Sequence, residues 1–223
     1  MESAEEAPLS VFITGFGKFI GVPYNPTESI VNNLKWFMKV KGMPKGVVIE
    51  KCQILVAAGK DALSPLCDFF KSAVEGKEDD PSKLSRTILI HFGVSSAITK
   101  FAIESQAINE ADFLWEDQLG WVPSNESIIK EDGGIEQIRK TSLPINKIVT
   151  ELVKMGFPVV VSNDAGRFVC NYVYYNSLRF ADGNGIKSLF VHVPLFNQID
   201  EAIQMLFVSS LLEVIASTYA CLE

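Results

Sequence analysis

The chain has 223 residues, 48% apolar and 21% charged, with 20 basic against 27 acidic side chains and a formal net charge of −7. That length supports a proper hydrophobic core, and the composition excludes a globally disordered chain. An acidic balance with no basic stripe argues against a nucleic-acid partner, which would need clustered Lys and Arg for its phosphates.

The first residues, Met1 to Pro8, are acidic and lack the basic and apolar regions of a signal peptide. Residues 1–9 therefore read as an acidic, disordered tail ahead of one domain over 10–223. Residues 11–14 form the first β-rich run and end in Gly15. A helix is predicted to start at Asn25-Pro26-Thr27-Glu28, where Asn25 can cap, Pro26 suits the first helical position and Glu28 sits where a capping box wants it. Runs at 47–49 and 54–56 flank a second strand region, followed by a helical stretch over 61–74 and a surface loop over 75–82. Residues 87–90 read as a fully buried strand running into His91-Phe92-Gly93, and 101–108 as a further strand. From Asn109 to Leu143 the pattern gives way to polar, glycine-containing sequence, too long for a plain connection and a candidate functional loop or flap. A helix over 145–155, a strand at 159–161, a helix over 169–180 and a strand at 189–193 follow. The terminal stretch 202–222 is apolar but interrupted by Gln204, Ser209, Ser210 and Glu213, so it reads as a buried helix and not as a membrane span. Apolar strands alternating with helices predict a single three-layer α/β/α domain around a mostly parallel sheet.

Four cysteines, Cys52, Cys67, Cys170 and Cys221, show no metal-ligand or CxxC spacing, and without a signal peptide they read as reduced thiols in a cytoplasmic protein. Cys170 stands apart because its segment runs strand, polar turn, helix start. A thiol at a helix N-terminus feels the positive end of the dipole, which favours the nucleophilic thiolate; an inert buried cysteine is the plainer alternative. The two histidines, His91 and His192, both lie near the ends of buried strands, where ligands collect in open parallel sheets, though each also fits a hydrogen-bonded core histidine. Glu104 interrupts an apolar strand. An acid orienting a histidine would explain it, and so would an edge strand facing water. The glycines of Gly15-Phe16-Gly17-Lys18-Phe19-Ile20-Gly21 suggest a dinucleotide turn, but Pro23 and Pro26 postpone the helix whose N-terminus would face the pyrophosphate. Two phenylalanines on that rim, Phe16 and Phe19, suit aromatic walls for a small apolar ligand instead.

Several of these segments together resemble one family. They are Thr14 to Phe19 with Asn25-Pro26-Thr27, Ile103-Glu104 with Ala107-Ile108-Asn109, Glu131-Asp132-Gly133 with Leu143-Pro144, Ala165 to Tyr175, and Phe190-Val191-His192-Val193-Pro194. From Val11 to around Ile215 the chain resembles the pyroglutamyl peptidase I (pyrrolidone-carboxylate peptidase) family of cytosolic cysteine exopeptidases, and its tryptophan-containing acidic loop looks most like plant members. The resemblance implies Cys170 as nucleophile, His192 as base and Glu104 as orienting acid. It implies Phe16 and Phe19 sandwiching a pyroglutamyl ring, with Phe168 and Val169 completing an apolar pocket. It further implies peptides with an N-terminal pyroglutamate as substrates, no metal or cofactor, and a possible homo-oligomer. Two departures stand out: Ile98 replaces an arginine of the bacterial Gly-Gly-Arg pattern, and Lys18 and Ile20 replace a proline and a glycine in the first loop. A thiol amidase of other specificity, or a catalytically weak binding paralogue, therefore stays open as an alternative.

Overall fold

The computed structural model describes residues 7–219, so most of the expected acidic tail and Cys221 lie outside the described residues. The chain runs β1 (Leu9–Phe16), α1 (Pro26–Lys41), β2 (Val47–Leu55), α2 (Leu63–Val74), α3 (Pro81–Ser85), β3 (Thr87–Val94), β4 (Phe101–Glu104) and β5 (Gln106–Ile108). It continues through β6 (Glu110–Ala111), β7 (Glu126–Ser127), β8 (Ile138–Lys140), α4 (Ile145–Lys154), β9 (Val159–Ser162), α5 (Val169–Asn184), β10 (Lys187–Val193) and α6 (Glu201–Tyr219). Leu9, counted with the tail by sequence, already opens β1 and is buried.

Six strands form one sheet in the order β2-β1-β3-β10-β4-β9. β1 pairs in parallel with β2 and β3, and β3 with β10, while β4 runs antiparallel to β10 and parallel to β9. The sheet is thus mostly parallel, with its last two strands reversed. Alternation along each strand splits the side chains between two cores. Val11, Ile13, Ile88, Ile90, Leu189 and Val191 face α1, α4 and α6 on one side. Phe12, Phe16, Leu89 and Phe190 face α2 and α5 on the other. Each fully buried aliphatic or aromatic side chain contributes about 1.5–3 kcal/mol, so strands buried on both faces are largely apolar and their few polar side chains are hydrogen-bonded. α6 is the one helix among the described residues long and apolar enough to cross a membrane. Here Val208, Leu211, Leu212 and Ile215 are buried against the first core.

α1 starts as its sequence predicts. The Asn25 side chain accepts from Thr27 N at 3.1 Å and Pro26 fills the first turn. It ends at Gly42, whose φ of 104° only glycine adopts easily, with its N–H returning to Met38 O. The runs at 47–49 and 54–56 belong to one continuous strand, β2, as the second strand region expected there. Two segments depart from the sequence reading. The surface loop passes into the short helix α3, capped by Asp80. Residues 101–108 are two strands: the chain leaves the main sheet at Ser105, and β5 pairs with β8 instead. Helix α5 holds this departure in place, because the Asn171 side chain donates to Ile108 O and Glu110 O and accepts from Ile108 N at 2.8–2.9 Å. The 109–143 segment has little regular structure but is pinned by hydrogen bonds. Asn109, fully buried, donates to Ile129 O, Gly133 O and Gly134 O, and its side-chain oxygen accepts from Ile129 N.

Candidate active site

The parallel strands β1, β3 and β10 end at one edge of the sheet, where helix α5 begins, so that edge collects side chains from several elements. On β10, Phe190 and His192 point to the α5 side. Phe190 is paired with Glu104 and His192 with Ala102 across the antiparallel β4. His192 and Glu104 are therefore diagonal neighbours on one face, within reach of long side chains. His192 Nδ1 lies 2.8 Å from Glu104 Oε1, and Glu104 is 1% exposed. Because β4 lies between β10 and β9, the water-facing edge strand open for Glu104 in the sequence is ruled out. Its other oxygen, Oε2, is buried and has no partner among the described residues, while Tyr174 Oη donates to its backbone oxygen at 2.9 Å. The imidazole is thus the carboxylate's one charge partner there.

Helix α5 brings the thiol. Cys170, Tyr174 and Ser177 recur at helical spacing and so form one stripe, and the contacts of all three are with the sheet. Cys170 lies in the first turn, where backbone N–H groups have no intrahelical acceptor. On β3, Gly93 is in register with His192. A Cβ built there would lie 2.9 Å from Cys170 Sγ and 2.7 Å from the Phe190 ring, so the missing side chain is what lets the sulfur settle over the strand. Burial by itself lowers the His192 pKa. Its electrostatic interaction and hydrogen bond with the Cys170 sulfur, together with Glu104, reverse that and hold it well above the ordinary imidazole value.

The second histidine sits deeper in the sheet. His91 is fully buried, with Nδ1 2.6 Å from Thr14 Oγ1 and Nε2 2.7 Å from Ser177 Oγ, which in turn meets Ser188 Oγ at 2.7 Å. It does not line the cleft described next, which corrects the sequence expectation that both histidines are placed to act. Cys52 and Cys67 are free thiols away from the cleft, their pKa values raised by burial.

Above Cys170, His192 and Glu104 opens a cleft of about 940 Å³. Phe16, Phe19, Phe168 and Val169 all line it. Phe16 is not on an exposed rim, as its sequence context suggested. It ends β1, is 3% exposed and packs near Phe190, whereas Phe19 is half-buried. The glycine-rich segment after β1 is a wall of this cleft, closed by the Phe19–Val22 bridge and by Asn25 Nδ2 donating to Gly17 O at 3.0 Å. Ile98 also lines the cleft. Sequence reasoning did not single out Gly93 or Tyr174; the helical spacing of Tyr174 from Cys170 was the available signal.

The chain and its fold are similar to those of known proteins. At 31% identity over 188 residues, the chain is similar to the pyrrolidone-carboxylate peptidase of Pyrococcus furiosus, covering 83% of this chain and 81% of that one. At 33% over 192 residues it is similar to the Thermosipho africanus enzyme of the same name, covering 85% and 83%. Among solved structures, the pyrrolidone carboxyl peptidase of Fervidobacterium islandicum superposes with a TM-score of 0.77 at 28% identity, over 92% of this chain and 97% of that one. The pyroglutamyl peptidase I of Bacillus amyloliquefaciens does so at 0.73 and 25%, over 95% and 94%. The sequence model of the family described as pyroglutamyl peptidase matches residues 9–216, nearly the whole described fold, and the chain belongs to that family of cysteine-type exopeptidases.

Proposed function

We propose that this protein hydrolyses the amide bond that follows an N-terminal pyroglutamyl residue, with Cys170 as nucleophile, His192 as general base and acid, and Glu104 as the acid that orients it. The observation that carries the reading is the convergence of a helix-start thiol, an imidazole and a buried carboxylate 2.8 Å from that imidazole at the floor of one aromatic cleft. His192 takes the thiol proton, and the Cys170 sulfur attacks the exocyclic carbonyl carbon of the pyroglutamyl residue. Backbone N–H groups in the first turn of α5 hold the resulting oxyanion. Its collapse breaks the C–N bond as the imidazolium protonates the leaving amine, which leaves a thioester. His192 then deprotonates a water that attacks the thioester, releasing pyroglutamate and restoring the thiol.

Shape supplies selectivity. The neutral five-membered lactam fits between Phe16 and Phe19, with Phe168 and Val169 completing the pocket, whereas a charged N-terminal glutamate would lose its hydration there at a cost of several kcal/mol. Cys52, Cys67 and Cys170 are all free thiols, the state that a reducing compartment maintains, which supports a cytoplasmic enzyme. The test is release of pyroglutamate from a pyroglutamyl amide, with activity expected in the native chain and about a thousandfold or greater loss in Cys170→Ala. Hydrolysis persisting in that variant would overturn the mechanism.

A further inference from the structure

The residues lining the cleft sort by depth. Its floor is buried: Phe16, Ala102, Glu104, Val169 and His192. Its mouth carries large apolar side chains in water: Ile20 at 65% exposure, Leu114 at 83% and Trp115 at 61%. Leaving such groups in water forfeits the free energy their burial would supply, and three at one opening mark a surface that something covers.

The backbone that carries these side chains is fixed by the segments around it. Before the pair, Phe113 is buried, with its ring 4.5 Å from that of Phe168 and its N–H donating to Pro123 O. After it, the buried Asp117 carboxylate accepts from the N–H groups of Gly59, Leu119 and Trp121 at 2.8–3.0 Å. Trp121 fills the space left by the missing side chain of Gly59 and meets the Tyr172 ring at 5.4 Å. Leu114 and Trp115 thus project from a short span anchored at both ends. Ile20 projects from the loop closed by the Phe19–Val22 bridge. A backbone already fixed spares the ligand the cost of ordering the loop that presents these groups.

We infer that Leu114, Trp115 and Ile20 form a subsite for a bulky apolar side chain on the residue immediately after pyroglutamate. This rests on the pyroglutamyl-peptidase reading above. With the acyl ring on the buried floor beside Cys170, the scissile amide lies at the sulfur and the rest of the peptide must leave through the mouth. The first side chain beyond the broken bond then passes the three apolar groups. The enzyme selects for Leu or Phe there and against Gly.

The experiment compares kcat/KM for two amidated peptides, pyroglutamyl-Phe-Ala and pyroglutamyl-Gly-Ala. The native chain should favour the first about tenfold or more. In the double variant Leu114→Ser, Trp115→Ser the ratio should fall to within about threefold, while Tyr24→Ser, at a surface residue outside the cleft, should keep the native ratio. Leu114→Ser alone serves if the double variant does not fold, and should lower the ratio about threefold. Equal rates on both peptides in the native chain, or a native ratio in the Leu114 and Trp115 variants, would overturn the subsite alone. No pyroglutamate from either peptide would overturn the peptidase reading on which it stands.

Discussion

Two imidazoles on the same face of one sheet meet opposite fates. Phe190 pairs with His91 and His192 with Gly93, so His192 stands one same-face step nearer the edge of the sheet than His91. Both are buried. The polar partners of His91 are hydroxyls, those of Thr14 and Ser177, and burial pushes its pKa down to about 3. His192 meets the Glu104 carboxylate and the Cys170 sulfur instead, and its pKa moves up despite the same burial. Depth does not decide protonation here; the charge of the neighbours does. A hydroxyl satisfies a neutral ring without favouring the cation, whereas Glu104, with Oε2 unpartnered, turns its other oxygen to His192 and favours the charged ring.

The largest test of this contrast makes the surroundings of His192 as neutral as those of His91. Glu104→Gln keeps the shape of the buried side chain and removes its charge. It should lower kcat/KM by about 100- to 10,000-fold, the scale seen when the orienting acid of a catalytic triad is neutralised. The sign of the pH effect follows from the cause of the shift. Glu104 raises the His192 pKa, so its loss lets the imidazolium release its proton at lower pH. The alkaline limb of the kcat/KM profile should therefore move toward acid. A limb that stays in place would mean that Glu104 does not tune His192.

A smaller effect is expected where the two fates are kept apart by a missing side chain. Gly93 follows His91 by one same-face step and lies beneath Cys170. In Gly93→Ala the new methyl would meet both Cys170 Sγ and the Phe190 ring inside 3.0 Å, and both are held by packing. Displacing a nucleophile by a fraction of its contact distance should reduce kcat/KM by about 10- to 100-fold. Overpacking should also destabilise the fold by about 1–3 kcal/mol. The rate of thiol alkylation separates the two consequences: a sulfur pushed away from His192 reacts more slowly at neutral pH, and native alkylation alongside native kcat/KM would show that the strand accommodates the methyl.

How much of this was readable beforehand depends on where the cause lies. β3 and β10 were legible because strands buried on both faces are apolar runs, and Glu104 stood out as the carboxylate inside such a run. The start of α1 was written locally in Asn25 and Pro26. The reversal of β4 and β9 was not legible, since side-chain alternation is the same in parallel and antiparallel strands. Nor was the order within 109–143, because Asn109 and Asp117 hold backbone groups far from them in sequence. Phe16 was misplaced for a related reason: a glycine-flanked residue reads as loop, but the parallel ladder to β2 extends through it to Leu55. Gly93 had no signal of its own, since its role consists of a contact with another element.

The smallest effect on catalysis should come from His91 itself. A group whose pKa is about 6.5 when unfolded and about 3 when folded binds more protons in the unfolded chain at every pH between those values. Stability contributed by the neutral His91 is therefore present above pH 6.5 and is lost as pH falls toward 3, at up to about 1.4 kcal/mol per pH unit. His192, shifted upward, acts in the opposite sense, contributing below its unfolded value and losing that contribution as pH rises through its folded one. In His91→Gln, the mismatched hydrogen bonds to Thr14 and Ser177 should cost about 1–3 kcal/mol at neutral pH. The acid-side slope should also flatten, because Gln has no proton to bind. Denaturant unfolding at pH 5, 6 and 7 reads both effects, and kcat/KM per folded molecule should stay within about twofold of native, because the neighbour His91 shares with the site, the Phe190 ring, is held by packing on its other sides. An undiminished acid slope would place the sensitivity in other groups, whereas lost turnover at equal folded fraction would couple the two histidines through the sheet they share.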